Sequence, residues 1–206
     1  MSEYKIIGYE NYYFTYKNLY TKIIKSKSNR YYYNRYSNLK IIEILPNEIN
    51  NNVIDIILNI YNQWESLHPN PVKSTKKHII NILKSPPSDL RIFIGQLNEN
   101  NIYFSLTTKH SDHFTCCYAY GLTRNPKYNN IDLICILHIL QYIEKKYNIL
   151  LYYYLGYTEN NKSLKYFKDK WADDKIIIYK ICHKNFFQEC NNMLNVIGGY
   201  YGRNEI

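Results

Sequence analysis

Apolar positions along the chain change their period several times, and each change predicts an element. From Val53, the residues Ile57, Ile60, Tyr61 and Trp64 recur every three or four positions, with Ile54 and Leu58 widening the stripe. That spacing predicts an amphipathic helix, ended by Pro69 and Pro71. Ile79, Ile80 and Leu83 predict a shorter helix over about 75–84, broken by Ser85-Pro86-Pro87-Ser88. Three runs rich in β-branched and aromatic residues follow: LRIFIGQL (90–97), NIYFSLTTK (101–109) and HFTCCYAYGLT (113–123). Short polar turns separate them, which predicts antiparallel hairpins. IDLICILHILQYIEKKY (131–147) is apolar almost all round, the pattern of a helix buried on more than one side. NILLYYYLGY (148–157) lacks alternation and reads as a strand covered on both faces. Residues 161–171 predict a helix with Leu164, Phe167 and Trp171 on one stripe, 174–183 a last strand, and 185–196 a terminal helix.

Ahead of these elements, residues 4–16 and 39–45 favour strand, the second stopped by Pro46; residues 17–36 carry no clear period, with helix as the open reading. The expected organisation is therefore an N-terminal basic and aromatic segment (1–46) packed on a main domain (47–206). From residue 53 the order is α-α-β-β-β-α-β-α-β. Hairpins joined to a strand–helix–strand crossover make an α+β fold with a mixed, mainly antiparallel sheet and flanking helices.

Charge changes the picture. The 206 residues carry 26 Lys and Arg against 17 Asp and Glu, a net charge of +9. Between Lys17 and Lys40 there are seven basic residues and no acid, interleaved with Tyr20, Tyr31, Tyr32, Tyr33 and Tyr36. Cations for phosphate and aromatic faces for stacking suit a nucleic-acid surface. The competing explanation is the compositional bias of an AT-rich genome, which also explains 25 tyrosines.

Cys116, Cys117, Cys135, Cys182 and Cys190 form no C-x-x-C pair and read as reduced thiols, Cys116 and Cys117 on opposite faces of one strand. No run is long enough for a membrane span, and MSEYKIIGYE lacks a signal-peptide pattern, so a cytoplasmic, non-membrane protein is expected. His110 and His113 have an H-x-x-H spacing with no further ligand string, so no metal is expected, and His138 reads as a core histidine.

The element order resembles the GNAT acyltransferase superfamily over roughly residues 50–183. Two strings sharpen the resemblance. YYYLGYTENNKSLKYFKDKW (152–171) is similar to the arginyl- and leucyl/phenylalanyl-tRNA–protein transferases, and its Phe167-Lys168 pair to the Fem-type aminoacyltransferases. YGLTRNPKYNNIDLICIL (120–137) fits the transferase outline of an aromatic strand, then Asn125-Pro126-Lys127-Tyr128, then the central helix. The acetyl-CoA branch carries R/Q-x-x-G-x-G/A before that helix, glycines that let backbone N–H groups close on a pyrophosphate. This chain has RNPKYNNID: Arg124 is present and both glycines are missing.

The resemblance implies that the family's fourth and fifth strands, here 113–123 and 148–157, splay apart to admit an acyl donor. It implies an aminoacyltransferase with aminoacyl-tRNA as co-substrate, no bound cofactor, tRNA as partner and an amine-bearing acceptor. The implied catalytic residues are Tyr157 and Tyr120. The implied donor-binding residues are Gly121, Leu122, Arg124, Gly156, Asn160, Asn161, Ser163, Lys165 and Lys168, with amides near Gly121 or Leu122 polarising the carbonyl. Two alternatives stay open: an acyl-CoA-dependent N-acetyltransferase, and a non-catalytic nucleic-acid-binding or interaction module on the same fold.

Overall fold

The computed structural model describes residues 4–68, 73–154 and 162–183. Among them, seven strands form one sheet in the order β2-β3-β4-β5-β6-β1-β7. The strands are β1 (Tyr4–Phe14), β2 (Lys40–Ile44), β3 (Leu90–Leu97), β4 (Asn100–Lys109), β5 (His113–Gly121), β6 (Leu151–Tyr154) and β7 (Asp174–His183). Every pairing is antiparallel except β5 with β6, the crossover pair. The α+β class and the mixed, mainly antiparallel sheet expected from sequence are what the structure has.

The longest apolar helix, α5 (Ile131–Tyr147), covers one face. Its Cys135 lies against Gly95 of β3, and its Tyr142 ring sits 6.0 Å from Phe93. Farther along, Tyr142, Lys146 and Tyr147 all donate to the carboxylate of Glu43, which pins the end of α5 to β2. The opposite face carries α3 (Asn51–Ser66), whose Tyr61 and Trp64 rings pack on Tyr120 of β5. Tyr120 and Gly121 are successive strand residues, so one turns to α3 and the next to α5. Beside α3 lies α4 (Lys73–Lys84), with Ile79 and Leu83 buried.

Residues 17–36, left open by the sequence, form two helices, α1 (Tyr16–Lys25) and α2 (Lys27–Arg35). They separate at Ser26, whose side chain accepts from the Asn29 amide as an N-cap. Both helices pack on α5. β1 is an inner strand, pairing with β6 through Tyr12–Phe14 and with β7 along Tyr4–Tyr13. Residues of the 1–46 segment thus supply two strands of the same sheet.

The strand expected over 148–157 begins only at Leu151. Asn148 takes a left-handed conformation (φ 54°), and its N–H returns to Glu144 O, capping α5. The helix expected over 185–196 lies outside the described residues.

Candidate functional site

Only the first four residues of β5, His113–Cys116, are seen paired with β6, against Leu151–Tyr154. Next in β5 comes a register shift, with Thr107 opposite Cys116 and Leu106 opposite Tyr118. An extra residue of this kind bends its strand. At the far end, Tyr103 of β4 stands opposite Gly121, and the Leu122 N–H donates to Ile102 O at 3.1 Å. In an antiparallel ladder that bond makes Tyr103–Gly121 a non-hydrogen-bonded pair. The Gly121 amide therefore faces away from β4, toward the side where β6 lies. By the same alternation Ala119 does too.

Gly121 is bare for a steric reason. A Cβ there would overlap Asp132 Oδ1 and lie 2.9 Å from Tyr103 Cδ2. Asp132 belongs to the first turn of α5; the residue is half-buried, and its Oδ1 is shut from solvent with no hydrogen-bond partner among the described residues. Burial without a compensating donor pushes its carboxyl up to about 7. Just ahead of it, Asn130 holds a left-handed φ of 59°.

A second polar group lies at the closed end of the β5–β6 pair. Lys168 of α6 (Lys162–Trp171) is fully buried, its Nζ 5.5 Å from the centre of the Tyr12 ring. The Tyr12 hydroxyl donates to Asp169 Oδ1 at 2.7 Å, and Lys165 donates to Asp169 Oδ2 at 2.6 Å. Burial pulls Lys168 down to about 8, with the neighbouring Cys116 acting the other way. Burial also pushes the Cys116 thiol up to about 12 and the Tyr152 hydroxyl well above its usual range. Around Cys116, the hydroxyls of Ser105, Thr107 and Tyr152 are buried and cluster with the thiol, acting on one another's titration. So one face of the sheet carries two buried ionisable groups, Asp132 near the end of β5 and Lys168 near its start.

The sequence-derived candidates divide. Gly121 lies on this face, and Lys168 and Lys165 border it. Tyr120 lies on the other, buried among Tyr61, Trp64 and Phe104 with ring centroids 5.2, 4.7 and 5.4 Å away. Leu122 uses its amide in the ladder, which leaves the Gly121 amide directed away from β4. Arg124 is exposed and donates to Leu67 O at 3.5 Å. Ser163 falls in the first turn of α6. Gly156, Tyr157, Asn160 and Asn161 lie outside the described residues. Sequence reasoning missed Asp132, though a signal was there: it is the only charged residue in the apolar run 131–143. It also missed the Ser105, Thr107 and Tyr152 hydroxyls, which carry no distinctive spacing.

The basic tyrosine-bearing stretch is tied to the loop that opens α5. Tyr36 donates to Asn129 O at 2.9 Å, Arg35 to Lys127 O at 3.2 Å, and Asn130 to Asn29 Oδ1 at 3.4 Å. Lys17, Lys25, Lys27, Arg30, Arg35, Lys127 and the Tyr31 ring are exposed. Elsewhere, His110 and His113 stack at 4.2 Å by the β4–β5 turn, with His113 Nδ1 2.7 Å from Asp112. No group of three or more His, Cys, Asp or Glu suited to a metal occurs among the described residues.

A scan against protein-family models finds no match, and a sequence search of curated proteins finds no relative. Solved structures do match. A conserved protein of unknown function from Bacteroides thetaiotaomicron aligns with a TM-score of 0.63 at 13% identity, over 88% of this chain and 62% of that one. The C-terminal domain of a putative lysylphosphatidylglycerol synthetase from Agrobacterium fabrum aligns at 0.60 and 11% identity, over 97% and 69%. L-PGS from Bacillus licheniformis aligns at 0.57 and 13% identity, over 95% and 66%. The fold is GNAT-like. This chain spans less than two thirds of the first of these structures, and identities this low speak for the fold alone. In the terms of that fold α5 corresponds to the central helix, and β5 and β6 to the fourth and fifth strands. No described helix is long and apolar enough to cross a membrane.

Proposed function

We propose that the protein is an acyltransferase that moves an aminoacyl group from aminoacyl-tRNA to an amine. The observation that carries this reading is the seating of α2. A helix pair bearing exposed Lys17, Lys25, Lys27, Arg30 and Arg35 is hydrogen-bonded to the loop leading into the central helix. A polyanion drawn to that surface by its phosphates has its end beside the β5–β6 gap.

The central helix supports the same donor. Where a pyrophosphate needs bare backbone and a positive helix end, this chain has a carboxylate in the first turn. Like charge disfavours the diphosphate of CoA there. One structural neighbour, the C-terminal domain of a putative lysylphosphatidylglycerol synthetase, associates an aminoacyl group with this fold.

In this reading the donor ester lies along the open edge of β5 with its carbonyl oxygen on the Gly121 amide. The acceptor nitrogen attacks the carbonyl carbon, a C–N bond forms, and the C–O bond to the terminal ribose of tRNA breaks. The nitrogen gives up a proton to water at the mouth, and the departing ribose oxygen takes one, with Tyr157 as the proposed donor. Lys168 and the hydroxyls around Cys116 line the closed end, where the far part of the acyl group points. Tyr120 keeps a packing role under α3.

The test is transfer from a pool of tRNA charged with labelled amino acids, offered alongside labelled acetyl-CoA, to a mixture of peptide and polyamine acceptors. Conversion of base-labile ester label into base-stable amide from tRNA supports the reading. Acetyl transfer alone, with thermal stabilisation by CoA and no salt-sensitive tRNA binding, overturns it in favour of an acyl-CoA enzyme. Salt-sensitive tRNA binding without transfer makes the chain a binding module.

A further inference from the structure

Asp132 poses a question that packing does not answer. Its Oδ1 is shut from solvent, accepts no hydrogen bond from the described residues, and presses on the bare Cα of Gly121. A buried acceptor left unsatisfied costs free energy, and an ionised one costs more. An amide side chain would fill the same space without a charge. Burial has already raised this carboxyl to about 7, so it is poised between charged and neutral. The structure places such a group beside Gly121, whose amide is directed away from β4.

We infer that Asp132 is the receptor for the α-ammonium group of the donor's aminoacyl moiety. This rests on the aminoacyl reading above and deepens it. The α-nitrogen of an aminoacyl ester is attached to the carbon next to the carbonyl. A carbonyl oxygen held by the Gly121 amide brings that nitrogen to the end of β5, on whose α5 face the Asp132 oxygen lies. An ammonium supplies the positive charge and the donor hydrogens that Oδ1 lacks. An acetyl group has no such nitrogen. Asp132 thereby selects aminoacyl over simple acyl donors, by attraction for one and by an unpaired buried carboxylate against the other. Gly121 is part of the same device, because any side chain there drives the carboxyl away. Binding also moves a proton: the ammonium holds Asp132 ionised, so complex formation near pH 6.5 releases a proton from the protein.

The experiment uses the whole chain and a panel of 3′-deoxy-3′-aminoacylamido-adenosines with alanyl, lysyl, leucyl and phenylalanyl groups. Each is paired with a matched compound in which hydrogen replaces the α-amine. Affinities are measured calorimetrically near pH 6.5 in two buffers of different ionisation enthalpy. Wild-type protein is expected to bind at least one amine-bearing compound about tenfold or more tightly than its match, with proton release. In Asp132→Asn the preference and the proton release disappear while affinity for the matched compound is kept. That retained affinity also shows the variant is folded.

Equal binding of amine-bearing and matched compounds by wild type, or a preference that survives in Asp132→Asn, overturns the inference and leaves the aminoacyl reading standing. Binding of CoA with no binding of any panel member removes both.

Discussion

The two ends of β5 solve the burial of a charge in opposite ways. At its start Lys168 is buried beside Tyr12 and Cys116, and burial draws it down to about 8. At its end Asp132 is wedged against Gly121, and burial lifts it to about 7. Both groups are pushed toward neutrality, one by giving up a proton and the other by keeping one. The cation lies over the Tyr12 ring, whereas the anion lies against a bare glycine. A cation over an aromatic face has a partner within the fold. A charge against bare backbone points to something that binds.

The sharpest way to separate the two ends is the pH dependence of stability. Asp132 holds its proton more tightly folded than unfolded, so its contribution is complete below about pH 4 and is lost as pH rises through about 7. Lys168 has a depressed value, so its burial costs most below about pH 8 and the cost fades as pH rises toward the ordinary lysine range near 10.5. Denaturant melts from pH 4 to 10 should show Asp132→Asn gaining on the order of a few kcal/mol over wild type at pH 8 and much less at pH 4. Lys168→Met should gain at pH 7, with the gain shrinking above pH 9. Parallel curves for wild type and variants would mean that neither charge is truly buried.

Next in size is Gly121→Ala. A methyl group there meets Asp132 Oδ1 and the Tyr103 ring, and overpacking of this kind costs about 1–3 kcal/mol. In an Asp132→Ala background the penalty should fall well below that, a non-additivity that a double-mutant cycle reads directly. An unchanged penalty would place the conflict at Tyr103 alone.

Smaller in free energy, but decisive for function, is the turnover of Lys168→Met. If the closed end of the gap holds the acyl group, transfer should fall at least about tenfold, equivalent to about 1.4 kcal/mol, with no loss of melting temperature. Wild-type turnover would reduce Lys168 to packing. The smallest effect belongs outside the sheet. Arg30→Glu on α2 should weaken tRNA binding several-fold and lower its salt dependence, while leaving the affinity for the nucleoside panel untouched.

How much of this was legible in sequence varied with the range of the forces involved. The elements from α3 to β7 were readable because each carries its own period, and α5 announced its burial by being apolar on every side. α1 and α2 were not, since Lys, Asn and Tyr repeat there without a stripe and the break depends on one serine cap. The late start of β6 turned on a left-handed Asn148, an option asparagine has but does not advertise. At the site, Gly121 and Lys168 were picked out by resemblance, and Tyr120 was picked out along with them. Strand alternation puts Tyr120 on the α3 face, which only a known register reveals. The contact of Asp132 with Gly121 joins residues eleven positions apart through a turn whose path no periodicity encodes.

The position of β1 has a consequence for how the chain is made. Among the described strands β1 is made before the six others, yet it takes its place between β6 and β7. Its longer partner, β7, is synthesised after every other described element. Until then β1 lacks its longer partner, and its docking closes a loop that runs through all the elements between them. Completion of the sheet therefore waits on the emergence of β7. A ribosome-stalled chain lacking β7 should hold the β2–β5 hairpins while leaving its own N-terminus open to protease.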